Sequence, residues 1–392
     1  MNKALLHPEV QEFIRKNLRK DLSTLILKGS PFPEVSIQEI AAQINGLQKA
    51  QKKLPTWFKA ANIIFPANIN LEQTSSEITA KYKASLVSGR NMIDLTGGFG
   101  IDTFFFAERF EKVTHCELDP GLSEIAAHNF KVLGRNNIST FCGDGINYLK
   151  ETIEKFDLIY LDPARRDDYG GKVFLLEQCT PNVAENLSLF FEKADRVLIK
   201  TSPLLDLKAG LRELERVSAI HIVSVNNEVK ELLWELKIDQ ANEILVTTIN
   251  FQNEEPVKFE AVYSGNFEDA PLSLPGTYLY EPNPAVMKSG MFAEVATQTG
   301  TSKLHSNSHL FTSDEKKDFP GRSFKILETL PYSKKILKKH PQFQKANITT
   351  RNFPKTVEEL RKELKIADGG ENYVFFTTNL KNEKIVLVCS KI

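Results

Sequence analysis

Apolar positions near the start of the chain recur with a helical period. Ile40, Ile44 and Leu47 fall at i, i+4 and i+7, on one face of a helix, and residues 1–70 read as helical throughout. From about residue 90 the pattern changes to short apolar runs at 92–95, 113–116, 139–142, 158–161 and 197–199. Helix-length stretches such as 121–133 and 178–193 separate them. Near-continuous apolar strands alternating with helices predict a parallel, doubly wound sheet covered on both faces. Residues 220–225 and 229–236 are divided only by Asn226, Asn227 and Glu228, too short a gap for a crossover helix, so they predict an antiparallel hairpin.

Beyond residue 240, residues 244–251 and 258–262 read as strands of a small α+β unit, and 269–290 as a Pro-, Gly- and Ser-containing connection. Then come a helix carrying Lys334, Lys335, Lys338 and Lys339, an extended segment at 347–354, a helix at 357–365, and strands at 373–378 and 384–389. The expected division is a helical N-terminal region (1–70), an α/β domain (71–240), a small α+β module (241–320) and a basic α+β module (321–392).

Hydrophobic residues make up 41% of the 392 and charged residues 26%, which excludes a disordered or fibrous chain. No run approaches the roughly 20 apolar residues of a membrane span. The first residues lack the apolar core of a signal peptide, so a cytoplasmic protein without a membrane partner is expected. Cys116, Cys142, Cys179 and Cys389 form no C-x-x-C pair. His305 and His309 share H-x-x-x-H spacing in a loop-like segment without a third ligand, so no metal is expected.

Lys and Arg balance Asp and Glu at 50 each, but unevenly along the chain. Residues 1–70 hold 10 basic against 5 acidic side chains and residues 322–391 hold 15 against 7, which leaves 25 against 38 between them. Basic flanks around an acidic centre suit a polyanionic partner or, equally, solvated helix faces.

The segment with most chemical content runs from Asp94 through Thr96, Gly97, Gly98 and Gly100 to Asp102: a buried strand, a glycine turn, then a helix. Glycines let backbone approach a ligand at the carboxyl end of the first strand, where open α/β sheets bind ligands. Glu117 ends the second strand, placed for ribose hydroxyls, and Asp144 follows the third, placed for an adenine amino group. A dinucleotide fold would want a third glycine where Thr103 stands, and Asp102 would face a pyrophosphate at the helix N-terminus.

Over roughly residues 72–240 these features resemble the class I methyltransferases that use S-adenosyl-L-methionine. The resemblance implies a seven-stranded sheet whose last hairpin is antiparallel. It places Gly98 and Gly100 along the cofactor, Asp94 near its methionine part, Glu117 at the ribose and Asp144 at the adenine; Thr96, Gly97 and Asp162 complete the expected lining.

The fourth strand ends in Asp162, Pro163, Ala164, Arg165 and Arg166. Amino-group methyltransferases carry [D/N]-P-P-[Y/F/W] here, with oxygens that accept from the target NH₂ and an aromatic that stacks on the base. This chain keeps Asp-Pro but replaces the second proline and the aromatic. Asp-Pro-Ala-Arg also resembles the uridine-C5 RNA methyltransferases, whose nucleophilic cysteine is missing from the loop Lys200, Thr201, Ser202, Pro203. Asp162, Pro163 and Arg165 are the catalytic candidates, with Asp162 orienting or deprotonating an acceptor nitrogen or oxygen.

Thr350, Arg351, Asn352, Phe353 and Pro354, with the motifs above, resemble bacterial methyltransferases that carry a ferredoxin-like module and a C-terminal THUMP-like domain. That resemblance implies structured RNA, tRNA or rRNA, as the substrate, with Lys334, Lys338, Arg351 and Lys355 as candidate RNA contacts. A small-molecule or protein acceptor, or a non-catalytic RNA adaptor that binds the cofactor, are the alternatives.

Overall fold

Helix α1 (Pro8–Lys16) opens with proline at its first turn, where a missing N–H costs nothing. Asp21 caps α2 (Leu22–Lys28), and a reciprocal capping box between Ser36 and Glu39 starts α3 (Ile37–Lys53). The expected apolar stripe of Ile40, Ile44 and Leu47 is buried. Helix α4 (Pro55–Lys59) sets Trp57, fully buried, edge-on against Phe104 with ring centroids 4.7 Å apart. Ser76 caps α5 (Glu77–Ser85).

The computed structural model describes residues 1–66, 71, 74–165, 175–239, 243–252, 255–263, 269–340 and 343–392. The chain falls into two units, Met1–Val217 with Leu233–Gln240, and Ser218–Leu232 with Ala241–Ile392.

In the first unit the helices above precede β1 (Gly89–Asp94), α6 (Ile101–Phe106), β2 (Phe110–Glu117), α7 (Pro120–Val132), β3 (Ile138–Cys142), α8 (Gly145–Glu151) and β4 (Leu158–Leu161). The short β5 (Ala164–Arg165) and β6 (Cys179–Thr180), α9 (Val183–Lys193), β7 (Arg196–Thr201) and α10 (Leu207–Glu213) come next. Strands β3, β2, β1, β4 and β7 lie side by side in that order, each parallel to its neighbours in the series. The order reverses at β1, which lies between β2 and β4, so a crevice opens at the carboxyl ends of β1 and β4. The helix expected at 178–193 starts only at Val183, where Asn182 caps it.

Strands β8 (Val217–Val225) and β9 (Glu228–Lys237) are joined through Asn226 and Asn227, whose φ angles of 51° and 61° are those of a tight hairpin turn. The seven-strand expectation holds only in part. β9 divides between the units at Leu232/Leu233, and β10 (Ile244–Gln252) runs parallel to β8 and pairs antiparallel with β11 (Glu255–Tyr263). Residues 244–263 therefore extend the β8 side, within the same unit as residues 269–392.

The rest of the second unit comprises β12 (Tyr278–Pro282), α11 (Pro284–Ser289), α12 (Phe292–Thr299), β13 (Ser302–Lys303), β14 (Phe311–Ser313), β15 (Gly321–Pro331), α13 (Lys334–Leu337), β16 (Lys345–Thr350), α14 (Val357–Leu364), β17 (Ala367–Thr378) and β18 (Lys384–Lys391). Its strands form one sheet in the order β13-β14-β12-β15-β18-β17-β16. Alternation along β17 and β18 feeds both faces: Val374, Phe376, Val386 and Val388 pack with Leu360 and Leu364 of α14, while Phe375, Ile385 and Leu387 pack with Leu279, Leu304 and Phe324. The connection expected at 269–290 contains β12 and α11, and the lysine-bearing helix is the single turn α13.

Candidate active site

Asp94 closes β1 with only 1% of its surface exposed. Its Oδ1 accepts from the Thr96 N–H at 3.0 Å and its Oδ2 from the Thr103 hydroxyl at 2.6 Å. Burial pushes its carboxyl up to about 7, with the Asp102 and Asp162 charges adding to the effect and the hydrogen bonds from Thr103 and Thr96 opposing it.

The turn after β1 is packed tightly from below and open above. A Cβ on Gly97 would lie 2.1 Å from His115 Cε1, and one on Gly100 2.3 Å from the Phe130 ring. Gly98 has φ +56°, and a Cβ there would meet nothing closer than Thr96 O at 3.9 Å. That open side borders Glu117, whose Oε2 accepts from the Gly98 N–H at 2.8 Å and Oε1 from the Asp119 N–H at 2.8 Å. Each carboxylate oxygen keeps a lone pair for a further donor. Leu118 beside it is 63% exposed, an apolar surface at the strand end.

Asp144 caps α8, accepting from the Ile146 N–H at 2.7 Å. Next to it, a Cβ on Gly145 would lie 2.8 Å from Leu95 O, so glycine lets the β3–α8 turn press against the end of β1. The strand-end acids Asp94, Glu117, Asp144 and Asp162 thus share the carboxyl edge of the parallel strands β3, β2, β1 and β4.

The Asp162 N–H donates to Thr96 Oγ1 at 2.7 Å, which ties β4 to the glycine turn, and its Oδ2 accepts from Lys200 Nζ at the end of β7. Pro163 leads into β5, which pairs antiparallel with β6. The side chain of Arg165, and all of Arg166, Asp167 and Asp168, lie outside the described residues.

Sequence reasoning missed the layer beneath. Lys83 of α5, fully buried, faces Asp102 Oδ1 at 3.3 Å. Asp102 Oδ2 accepts from Ser75 Oγ and Tyr160 OH, each at 2.8 Å. Burial would push the Asp102 carboxyl up, but the Lys83 and Lys200 charges and these hydrogen bonds hold it below the usual carboxylate range. Ser75, one residue before the cap of α5, acts in this network, whereas Ser76 performs the capping. Lys200 had a signal of its own: it ends an apolar strand, as Asp162 does. The buried Lys83 had none.

In the second unit Lys334 and Lys355 both pair with Glu363, at 3.1 and 2.5 Å, and Arg351 pairs with Glu281 at 3.0 Å. Lys338 is exposed and has no acidic partner among the described residues. Among the described residues no group of three or more His, Cys, Asp or Glu could hold a metal, and no helix is long and apolar enough to cross a membrane.

Residues 278–320 match a ferredoxin-like domain family and residues 321–391 the family described as THUMP domain-like. The two segments share one sheet, with β12 of the first paired to β15 of the second. A 135-residue stretch is 28% identical to an uncharacterised RNA methyltransferase of Mycoplasma mobile, spanning 33% of this chain and 37% of that protein. A crystal structure from Porphyromonas gingivalis W83, described as a candidate methyltransferase, is 30% identical, covers 99% of this chain and 98% of its own, and superposes with a TM-score of 0.88. Matched over nearly their whole lengths, the two chains are members of one family, so this chain belongs to the methyltransferases that carry a ferredoxin-like domain and a THUMP-like domain in their C-terminal part.

Proposed function

We propose that this chain transfers a methyl group from S-adenosyl-L-methionine to a nitrogen or oxygen of structured RNA, tRNA or rRNA. The observation that carries the reading is Glu117: a strand-end carboxylate held by the Gly98 N–H beside a glycine turn with open space above it.

These residues fit a cofactor with a ribose diol, an adenine and a sulfonium. Glu117 would accept from the ribose hydroxyls, Leu118 would offer an apolar face and Asp144 an acceptor to the adenine. Asp94 and the glycine turn Thr96, Gly97, Gly98 and Gly100 would line the methionine end. Acids around a cationic sulfonium attract it, where they would repel a pyrophosphate. The cofactor, when bound, supplies the methyl electrophile.

Asp162 would orient the acceptor. Lys200 engages its Oδ2, which leaves Oδ1 to accept from an acceptor N–H or O–H and take up its proton as the methyl arrives. Backbone beside Pro163 would line the same entrance. The basic stretch from Arg322 onward would hold RNA by phosphate contacts. Because Lys334, Arg351 and Lys355 already pair with acids, a small-molecule or protein acceptor is the second reading.

Calorimetric titration of S-adenosylmethionine and S-adenosylhomocysteine tests the cofactor, and labelled-methyl transfer to pooled tRNA and rRNA tests the substrate. Micromolar-range binding lost in Glu117→Ala, with label in RNA lost in Asp162→Ala, is expected. Absence of cofactor binding overturns the reading. Binding without RNA labelling moves it to the second acceptor class, and labelling that survives Asp162→Ala removes that residue's role.

A further inference from the structure

A cationic cluster lies in the second unit. Glu281, near the end of β12 and 5% exposed, holds two arginines on its two oxygens. Arg322 donates to Oε2 through Nε at 2.8 Å and through Nη2; Arg351 donates to Oε1 through Nε at 3.3 Å and Nη2 at 3.0 Å. Both guanidiniums are part-exposed, with 41% and 35% of their side chains reaching solvent. The Nη1 of each has no partner among the described residues and is not buried.

The charge does not balance here: two guanidiniums share one carboxylate. More positive charge stands close by. Lys303, 3% exposed, places Nζ 4.6 Å from the Phe292 ring centroid, and Phe292 stacks on His309 at 4.3 Å. Burial, with the Lys303 and Arg351 charges, holds His309 down to about 4, so it adds no charge of its own near neutrality and marks the positive potential. Asn283, two residues past Glu281 and 5% exposed, has a buried Nδ2 donor without an acceptor among the described residues.

One buried carboxylate facing two part-exposed guanidiniums leaves excess cation and unused donors that an anion from solvent can complete. We propose that Glu281 is the anchor of an anion clamp in which Arg322 and Arg351 together grip a phosphate group. Guanidinium forks match phosphate oxygens two at a time, and a carboxylate that fixes each fork at its Nε/Nη2 edge leaves the Nη1 side pre-aligned. The ligand is a phosphodiester of RNA; that identity rests on the RNA reading above, whereas the clamp itself does not.

The test measures anisotropy of a fluorescein-labelled tRNA transcript with the full chain between about 50 and 200 mM salt. The main variant is the triple Glu281→Gln/Arg322→Gln/Arg351→Gln, which leaves no buried carboxylate without partners. Arg322→Lys/Arg351→Lys keeps the charge but not the forks. Affinity should fall about tenfold in the triple variant, with the salt dependence reduced by about two ions, and by an intermediate amount in the lysine pair. S-adenosylhomocysteine affinity should be unchanged in both.

Wild-type affinity and salt slope in the folded triple variant overturn the clamp. A parallel thermal-melting series with pyrophosphate separates the two claims. If the wild type ignores RNA but pyrophosphate raises its melting temperature and not that of the triple variant, the clamp stands and the RNA reading falls. If pyrophosphate stabilises both chains equally, the clamp falls.

Discussion

Lys83 Nζ lies 3.3 Å from Asp102 Oδ1 although the lysine side chain has no exposure at all. The same ammonium donates to Ser75 Oγ at 3.1 Å, and Ser75 in turn donates to Asp102. The pair therefore clips α5 to the start of α6, directly after the glycine turn. Removing one member of a buried pair strands the other charge, so Lys83→Met should cost about 3–5 kcal/mol. Urea unfolding monitored by tryptophan fluorescence reports it, because Trp57 and Trp234 are both buried in the first unit. The double variant Lys83→Met/Asp102→Asn should recover most of the loss. Equal losses in the single and double variants would mean that the charge pair is not what holds α5.

Gly97 and Gly98 are adjacent but fail differently on gaining a methyl group. At Gly97 the new Cβ would sit 2.1 Å from a fully buried His115 ring, so Gly97→Ala should cost about 1–3 kcal/mol through overpacking. At Gly98 nothing is in the way; the cost is the left-handed φ of +56°, about 1 kcal/mol. The Gly98 methyl would instead occupy the open side of the turn. Gly97→Ala should lower the melting temperature more, while Gly98→Ala should lose more S-adenosylhomocysteine affinity than its stability loss explains. The reverse order in both readouts would place the ligand elsewhere.

Thr103 Oγ1 touches both Asp94 Oδ2, at 2.6 Å, and His115 Nδ1, at 3.0 Å, and the two groups oppose each other in pH dependence. Burial raises Asp94 from its ordinary 3.8 to about 7, so from about pH 4 to 7 the folded chain keeps a proton that the unfolded chain has released, and stability falls as pH rises. Burial lowers His115 from 6.5 to about 4; between those values the unfolded chain holds the extra proton, and stability rises with pH. Each slope is about 1.4 kcal/mol per pH unit, so they cancel between roughly 4 and 6.5. Relative to wild type, Asp94→Asn should show stability climbing across that window and His115→Gln should show it falling, in urea midpoints taken against pH. An Asp94→Asn curve parallel to wild type would mean that the carboxyl is not held protonated.

Asp94, Glu117, Asp144 and Asp162 were legible because alternating strands and helices put every strand's carboxyl end on one edge, so position along the chain became position in space. Lys83 and Tyr160 were not, because their common partner Asp102 lies on another element and nothing in a helix period marks it. Residues 269–290 misled through composition: Pro284 starts α11 and Gly290 ends it with φ 70°, so the residues read as a connection are the punctuation of a short helix. The division of β9 between units was also invisible, since an apolar run carries no record of which neighbour each half meets.

Cys142 ends β3, in register with Glu117 of β2 and two residues before Asp144. It is exposed, whereas Cys116, Cys179 and Cys389 are buried, and burial pushes the Cys116 and Cys389 thiols well up, which suppresses their thiolates. A thiol reagent such as DTNB should therefore modify the native chain mainly at Cys142, and Cys142→Ser should abolish the fast phase. If Glu117 and Asp144 hold the nucleoside, saturating S-adenosylhomocysteine should cover this strand end and slow the reaction several-fold, with no change in the slow phase from the buried thiols. Calorimetric binding that leaves the Cys142 rate untouched would take the adenine away from the end of β3, and with it the role given to Asp144.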